Sequence, residues 1–203
     1  MPHFDLERRY SGMVAGIDEA GIGCWAGPVV AAAAIVPYET PTAVLAQIDD
    51  SKKLTRLKRE TVFNTFHEGG ILFSWASASV AEIDHMNIRQ ATLLAMRRAL
   101  DGLPVLPDYA LIDGIARPTL PIPFDTVVKG DQKSYAIAAA SIVAKVIRDG
   151  LMADLAAQYP FYGWARNAGY GTKLHIAALE KYGVTPHHRQ TYAPILAFSA
   201  RQG

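Results

Sequence analysis

Cysteine is nearly absent from this 203-residue chain. Cys24 stands alone, so neither an intrachain disulfide framework nor a C-x-x-C zinc site can form, and a reducing compartment suits the chain. Long apolar runs are missing too. The longest, Val29 to Val36, spans eight residues where a bilayer crossing needs ~20. The first ten residues carry charges of both signs and no apolar segment, unlike a secretory signal. A soluble cytoplasmic protein without a membrane partner is therefore the expectation. Neither sign of charge dominates: 20 basic residues meet 19 acidic ones, so no blanket positive field can recruit a partner. Repeats, low-complexity tracts and linkers are absent as well.

What the chain does have is core material. Half of its residues are apolar, 19% are charged and the mean hydropathy is +0.10, values that exclude disorder and fit one compact domain. Charge is uneven along its length. Up to Val128 there are eleven basic against fifteen acidic residues; from Lys129 onward there are nine against four. The pattern is an acidic body followed by a basic, aromatic arm containing His175, His187 and His188, a combination suited to a polyanion. The reading is a single domain over 1–203, with about 150–203 as an appended helical lobe.

Short β-branched runs at 12–18 and 27–36, separated by a glycine-rich turn, predict two adjacent strands. Period-two alternation over 70–79 predicts a half-exposed third strand. Thr55 to Phe66 predicts an amphipathic helix capped by Thr55, with Leu57, Val62, Phe63 and Phe66 on its inner face. Asn87 to Leu100 predicts a second helix, and 109–112 and 124–128 predict brief buried strands. From Ser134 the chain is alanine-rich and apolar nearly all round, which predicts a helix buried on most sides. The 160–169 stretch predicts an aromatic loop, and helix resumes over 172–182 with Thr172 as its cap.

Four carboxylates fall at predicted element ends: Asp18 and Glu19 after the first strand, Asp113 after the fourth, and Asp131 before the buried helix. Ligands of open α/β sheets collect outside strand ends, where separate loops come together. Clustered carboxylates protonate unless a cation neutralises them, and an all-oxygen set selects Mg²⁺ or Mn²⁺ over zinc. Consecutive strand residues face opposite ways, so either Asp18 or Glu19 is expected to belong to the turn.

Gly21-Ile-Gly23-Cys-Trp-Ala26 also matches a dinucleotide-binding fingerprint, the signature of a nicotinamide-dependent oxidoreductase. Its context fails, because Gly27-Pro28 leads into a β-branched run where a phosphate-binding helix should open. Asp50-Ser-Lys-Lys-Leu-Thr55 suits either a phosphate contact through Ser51 and Lys52 or a solvated helix cap. Gly169-Tyr-Gly-Thr-Lys173 offers Tyr170 to a sugar or base, or to the core, and Lys173 to phosphate. His187, His188 and Arg189 read as structural or phosphate-facing, and Cys24 as a small buried residue.

Taken in order, these segments resemble the ribonuclease HII family. The matching blocks are 15–21, 27–30, Asp50 to Leu54, Leu111 to Gly114, Val128 to Asp131, 138–145, Gly169 to Lys173 and His188-Arg189. They run from about Gly12 to Pro194. The resemblance implies an RNase H-like α/β fold: a five-stranded mixed sheet, its first three strands antiparallel, flanked by helices, with a C-terminal helical extension. It also implies a monomeric, metal-dependent endoribonuclease that cuts the RNA strand of RNA–DNA hybrids. Cutting 5′ of single ribonucleotides in duplex DNA would follow, a step in ribonucleotide excision repair. Carried over by position, Asp18, Glu19, Asp113 and Asp131 are the catalytic metal ligands. They would hold two Mg²⁺ or Mn²⁺ ions when substrate is bound and leave 5′-phosphate and 3′-hydroxyl ends. Gly21, Ile22 and Gly23 would read the 2′-hydroxyl through their backbone, Tyr170 would sense the RNA–DNA junction, and Ser51, Lys52, Lys173 and Arg189 would bind substrate.

Ile22 departs from the family, which normally has arginine between the two glycines. Asn167-Ala168 likewise stands where basic residues are common. The alternative these departures raise is a hybrid-binding protein with weak or lost catalysis.

Overall fold

The computed structural model describes residues 1–200. Its strands are β1 (Val14–Ala20), β2 (Val29–Ile35), β3 (Leu72–Ala78), β4 (Tyr109–Asp113) and β5 (Phe124–Val127). Its helices are α1 (Thr42–Leu45), α2 (Arg56–Asn64), α3 (Val80–Asp101), α4 (Tyr135–Gln158), α5 (Trp164–Asn167), α6 (Lys173–Tyr182) and α7 (Ala193–Ser199). The strands form one sheet in the order β3-β2-β1-β4-β5. β1, β2 and β3 pair antiparallel, and β4 and β5 join parallel to β1. This is the mixed five-stranded sheet expected from the sequence.

Helices cover both faces. On one, Ala15 and Ile17 of β1 pack with Ile83, Ala95 and Met96 of α3. On the other, Ala32 and Ala34 of β2 pack with Val62 and Phe66 around α2 and with Ala139, Ile142 and Val143 of α4. The small residues let α4 lie against the sheet: a Cβ at Gly16 would collide with the Ala136 and Ile137 backbone. Ser134 caps α4 by accepting from the Ile137 N–H at 3.1 Å. The helix is 24 residues long, about 36 Å, and its far end leaves the sheet. There Met152 and Ala156 meet Tyr162, Trp164, Leu179 and Ile195 in a cluster of their own. No described helix is long and apolar enough to cross a membrane.

Some expectations are revised. Leu57 is 75% exposed and not on the inner face of α2, because its side of the first turn has no element to cover it. Helix α3 starts at Val80, seven residues before the expected start, on a capping box made by Ser79 and Glu82. Asn87, at φ 71°, breaks it, and its side chain accepts from the Gln90 N–H to restart the helix. The 160–169 stretch contains a 3-10 turn and α5, separated by Gly163 in the left-handed region.

Candidate active site

The parallel register of β1 and β4 builds the core of the site. Ile17 pairs with Ile112, so the next residues, Asp18 within β1 and Asp113 at the end of β4, lie on neighbouring strands side by side. Neither acid leaves the strand for the turn, contrary to expectation. Glu19 stays in the ladder opposite Ala31, with Asp18 opposite Ala32, and β1 continues to Ala20. The two side chains therefore start from opposite faces, Asp18 toward Ser141 of α4 and Glu19 toward the α3 side. Both remain close enough to Asp113 to feel its charge, because the sheet ends there. After β5, Lys129 adopts a left-handed conformation that turns the chain into a 3-10 helix and buries Asp131 ahead of α4. Asp113 accepts from the Gly130 N–H at 2.7 Å, linking that turn to β4.

These carboxylates share one repulsive field. Burial, then Glu19 and Asp113, push Asp18 well above the ordinary aspartate range. Burial and Asp113 push Glu19 up to about 7, and burial, Asp113 and Asp50 raise Asp131. Lys52 is the nearest cation, with Nζ 3.5 Å from Asp131 Oδ2. Burial works against its charge, but Asp131, Asp18, Asp50 and Asp113 outweigh that and raise it. Burial also pushes Asp50 up, yet the Lys52 N–H and the Gln132 amide hold it below its usual value. Among the described residues, no three His, Cys, Asp or Glu side chains converge closely enough to hold a metal ion, the carboxylates of this set included. The set is open on the side of a 290 Å³ cleft lined by Asp18, Glu19 and Asp113.

The glycine turn makes the opposite wall. Gly21, at φ 100°, packs so tightly on Arg148 that any Cβ would strike the guanidinium. Arg189, expected to touch substrate, is completely buried. It donates to the carbonyls of Gly21 (2.7 Å), Ile22 (2.7 Å) and Gly27 (3.1 Å) and to the Tyr192 hydroxyl (2.8 Å), and its burial keeps it away from a ligand. A trans peptide points its N–H opposite its C=O, so pulling the Gly21 and Ile22 carbonyls inward turns the Ile22 and Gly23 N–H groups to the cleft side. Neither N–H has a partner among the described residues.

Ile22 is 42% exposed at the rim and Tyr170 faces the cleft beside Gly23. Ser51 also lines it, but its buried hydroxyl bonds Ser141 at 2.6 Å, which makes it a support for the Asp18 side. Lys173 is exposed on α6 and stands apart from the lining. Residue reasoning did not assign Ser141, Lys145 and Arg148 to the site. Their signal was polar side chains spaced four and three residues apart, beginning at Ser141 within the apolar first half of the helix.

The ribonuclease HII family model matches residues 15–194. Ribonuclease HII of Rhodospirillum rubrum is 52% identical over 203 residues, 99% of this chain and 93% of that protein. Its counterpart in Paramagnetospirillum magneticum is 52% identical, covering 98% of each chain. Among solved structures, ribonuclease H2 of Pyrococcus horikoshii OT3 superposes with a TM-score of 0.79 at 25% identity, covering 93% of this chain and 98% of that one. Bst-RNase HIII in complex with Mn²⁺ shares the fold, with a TM-score of 0.76 at 18% identity over 93% of this chain and 70% of that one. With its sheet, its strand-end carboxylates and near full-length identity to these relatives, the chain belongs to the ribonuclease HII family, endoribonucleases that act on RNA–DNA hybrids.

Proposed function

We propose that this chain is a monomeric, divalent-metal-dependent endoribonuclease that cuts 5′ of a ribonucleotide at an RNA–DNA junction, including a lone ribonucleotide in duplex DNA. One observation carries the reading: carboxylates from β1, β4 and the turn before α4 sit close enough to raise one another's proton affinity, with no equal number of cations. Such a cluster is costly unless cations occupy it. An oxygen-only set open to a cleft fits Mg²⁺ or Mn²⁺, which keep coordination positions for water and substrate phosphate. Asp18, Glu19, Asp113 and Asp131 would hold two such ions with substrate present. Bound there, divalent ions supply the charge that acidifies an attacking water and stabilises a departing 3′ oxygen.

The chain's own groups do the rest. The outward Ile22 and Gly23 N–H groups are free to donate to a ribose 2′-hydroxyl, the mark that separates RNA from DNA. Tyr170, half exposed beside them, offers a flat face to the neighbouring sugar. Lys52, exposed and already drawn toward the carboxylates, can meet a backbone phosphate.

Incubation with a duplex bearing one ribonucleotide, in Mg²⁺ or Mn²⁺, tests the reading. A single cut 5′ of that residue, leaving 5′-phosphate and 3′-hydroxyl ends, is expected; binding without cutting at any metal concentration would instead identify the hybrid-binding alternative.

A further inference from the structure

Behind the cleft lies a buried polar group that the hydrolysis does not use. His175 of α6 and His188, ahead of α7, are both fully buried and face each other, Nε2 to Nε2, at 3.0 Å. Their neighbours dictate where each proton sits. The Thr185 N–H donates to His188 Nδ1 at 2.9 Å, so that nitrogen is bare and the ring carries its proton on Nε2. That proton points at His175 Nε2. The same nitrogen accepts from the Trp164 indole N–H at 3.2 Å, a group that can only donate. His175 must then carry its proton on Nδ1, which lies 3.0 Å from the Tyr170 carbonyl and donates to it. Burial pushes both rings toward the neutral form, with His188 down to about 3.

The pair joins two loops. His175 grips the Tyr170 peptide. His188 forms a bridge with Ala26, and the next residue, Arg189, holds the Gly21 and Ile22 carbonyls. Trp25 closes the circuit, donating its N–H to Gly169 O and accepting from the Arg189 N–H, both at 2.8 Å. Gly169 and Gly171 pack so closely on Ala26 and Trp25 that neither has space for a Cβ. Tyr170 and the Gly21–Gly23 turn are thus two edges of one assembly. Apolar residues could fill the same volume, but they would not aim a hydrogen bond at the Tyr170 carbonyl.

We infer that His175 is a positioning residue: its tautomer, set by His188 and Trp164, holds Tyr170 in register with the Gly21–Gly23 turn and so sets the preference for a ribonucleotide at a junction. This rests on the junction-contact role proposed for Tyr170, and it leaves the hydrolytic step to the carboxylates.

Two substitutions separate the two ring nitrogens, since asparagine places an amide N–H near Nδ1 and glutamine near Nε2. His175→Gln keeps the contact to His188 and loses the one to Tyr170; His175→Asn does the reverse. The readout is the ratio of kcat/KM on a single-ribonucleotide duplex to that on a continuous hybrid. The expected result is a fall of about tenfold for His175→Gln, mostly in KM, and a ratio within about threefold of the parent for His175→Asn. Equal losses in both folded variants, or no loss in either, overturn the inference.

If neither variant folds, ¹⁵N NMR of the parent's ring nitrogens decides. His175 protonated on Nδ1 and His188 on Nε2, unchanged from about pH 6 to pH 8, are expected; reversed tautomers or a ring that titrates in that range overturn it. A parent that cuts no junction at all would instead sink the proposed function, a different failure, because the tautomers would still be measured as stated.

Discussion

Two groups of buried polar side chains lie on either side of the cleft, and they are built on opposite terms. At the strand ends, Asp18, Glu19, Asp113 and Asp131 crowd like charges together, and burial raises the proton affinity of three of them. Behind the glycine turn, Arg148, Arg189, His175 and His188 are more deeply buried than Glu19 and Asp113, yet each bonds a backbone carbonyl or a neutral ring. Mutual repulsion in the first group is what divalent cations would relieve. Satisfaction in the second gives stiffness and a fixed direction for every donor. Replacing a member of the first group should therefore cost activity, and replacing a member of the second should cost stability or selectivity.

The largest expected effect breaks the first side of that comparison. Asp18→Asn should lower the cutting rate by at least roughly 10³-fold while raising the melting temperature of the metal-free protein, because it removes a buried charge repelled by its neighbours. Calorimetry beside the cleavage assay checks both signs, and a variant that melts lower would contradict the electrostatic account. On the other side, Arg189→Met leaves the Gly21, Ile22 and Gly27 carbonyls without their donor. A loss of about 3 kcal/mol, a drop of roughly 9 °C in Tm, is expected by thermal unfolding.

Acidity separates the two groups by sign. Glu19 titrates near 7 in the folded protein and near 4.5 when unfolded, so its ionisation removes stability as pH rises through that window. The metal-free Glu19→Gln variant should gain stability over the parent from about pH 4.5 to about pH 7, and the gain should be flat above. Its plateau is roughly 10 °C in Tm. His188, held neutral down to about 3, acts in the other direction: its contribution is present above 6.5 and is lost as pH falls below that. Melting curves of both proteins between about pH 4.5 and 8 resolve the two arms. Saturating Mg²⁺ or Mn²⁺ should remove the parent's carboxylate arm and leave the histidine arm. The smallest effect concerns the rim. Ile22→Arg should add one phosphate contact and steepen the salt dependence of hybrid binding by about 0.9 in log–log slope. A titration of Kd against salt, with Asp18→Asn in both proteins to prevent cutting, measures it.

Much of the carboxylate side was legible beforehand. A polar residue at the end of an apolar run has few reasons to be there, and Asp18, Asp113 and Asp131 each sit at such an end. The other side was not. Arg189 read as structural or phosphate-facing, and the family resemblance placed it among the substrate contacts; its actual partners are carbonyls some 167 residues away. No local pattern encodes that pairing. The expectation that either Asp18 or Glu19 belongs to the turn failed for a related reason: alternation along a strand says the two side chains diverge, but not that the sheet stops just beyond them, letting both reach its edge.

Periodicity, glycine placement and the alanine-rich run by themselves determined the strands, the principal helices and which acids end them, since these depend on neighbours a few positions apart. Only the packed structure decided which cations are spent inside, that the Gly21–Gly23 turn faces its N–H groups outward, and which nitrogen of His175 holds the proton. Those outcomes belong to hydrogen bonds between segments remote in the chain. Their partners are backbone atoms every residue carries, so no residue type announces them.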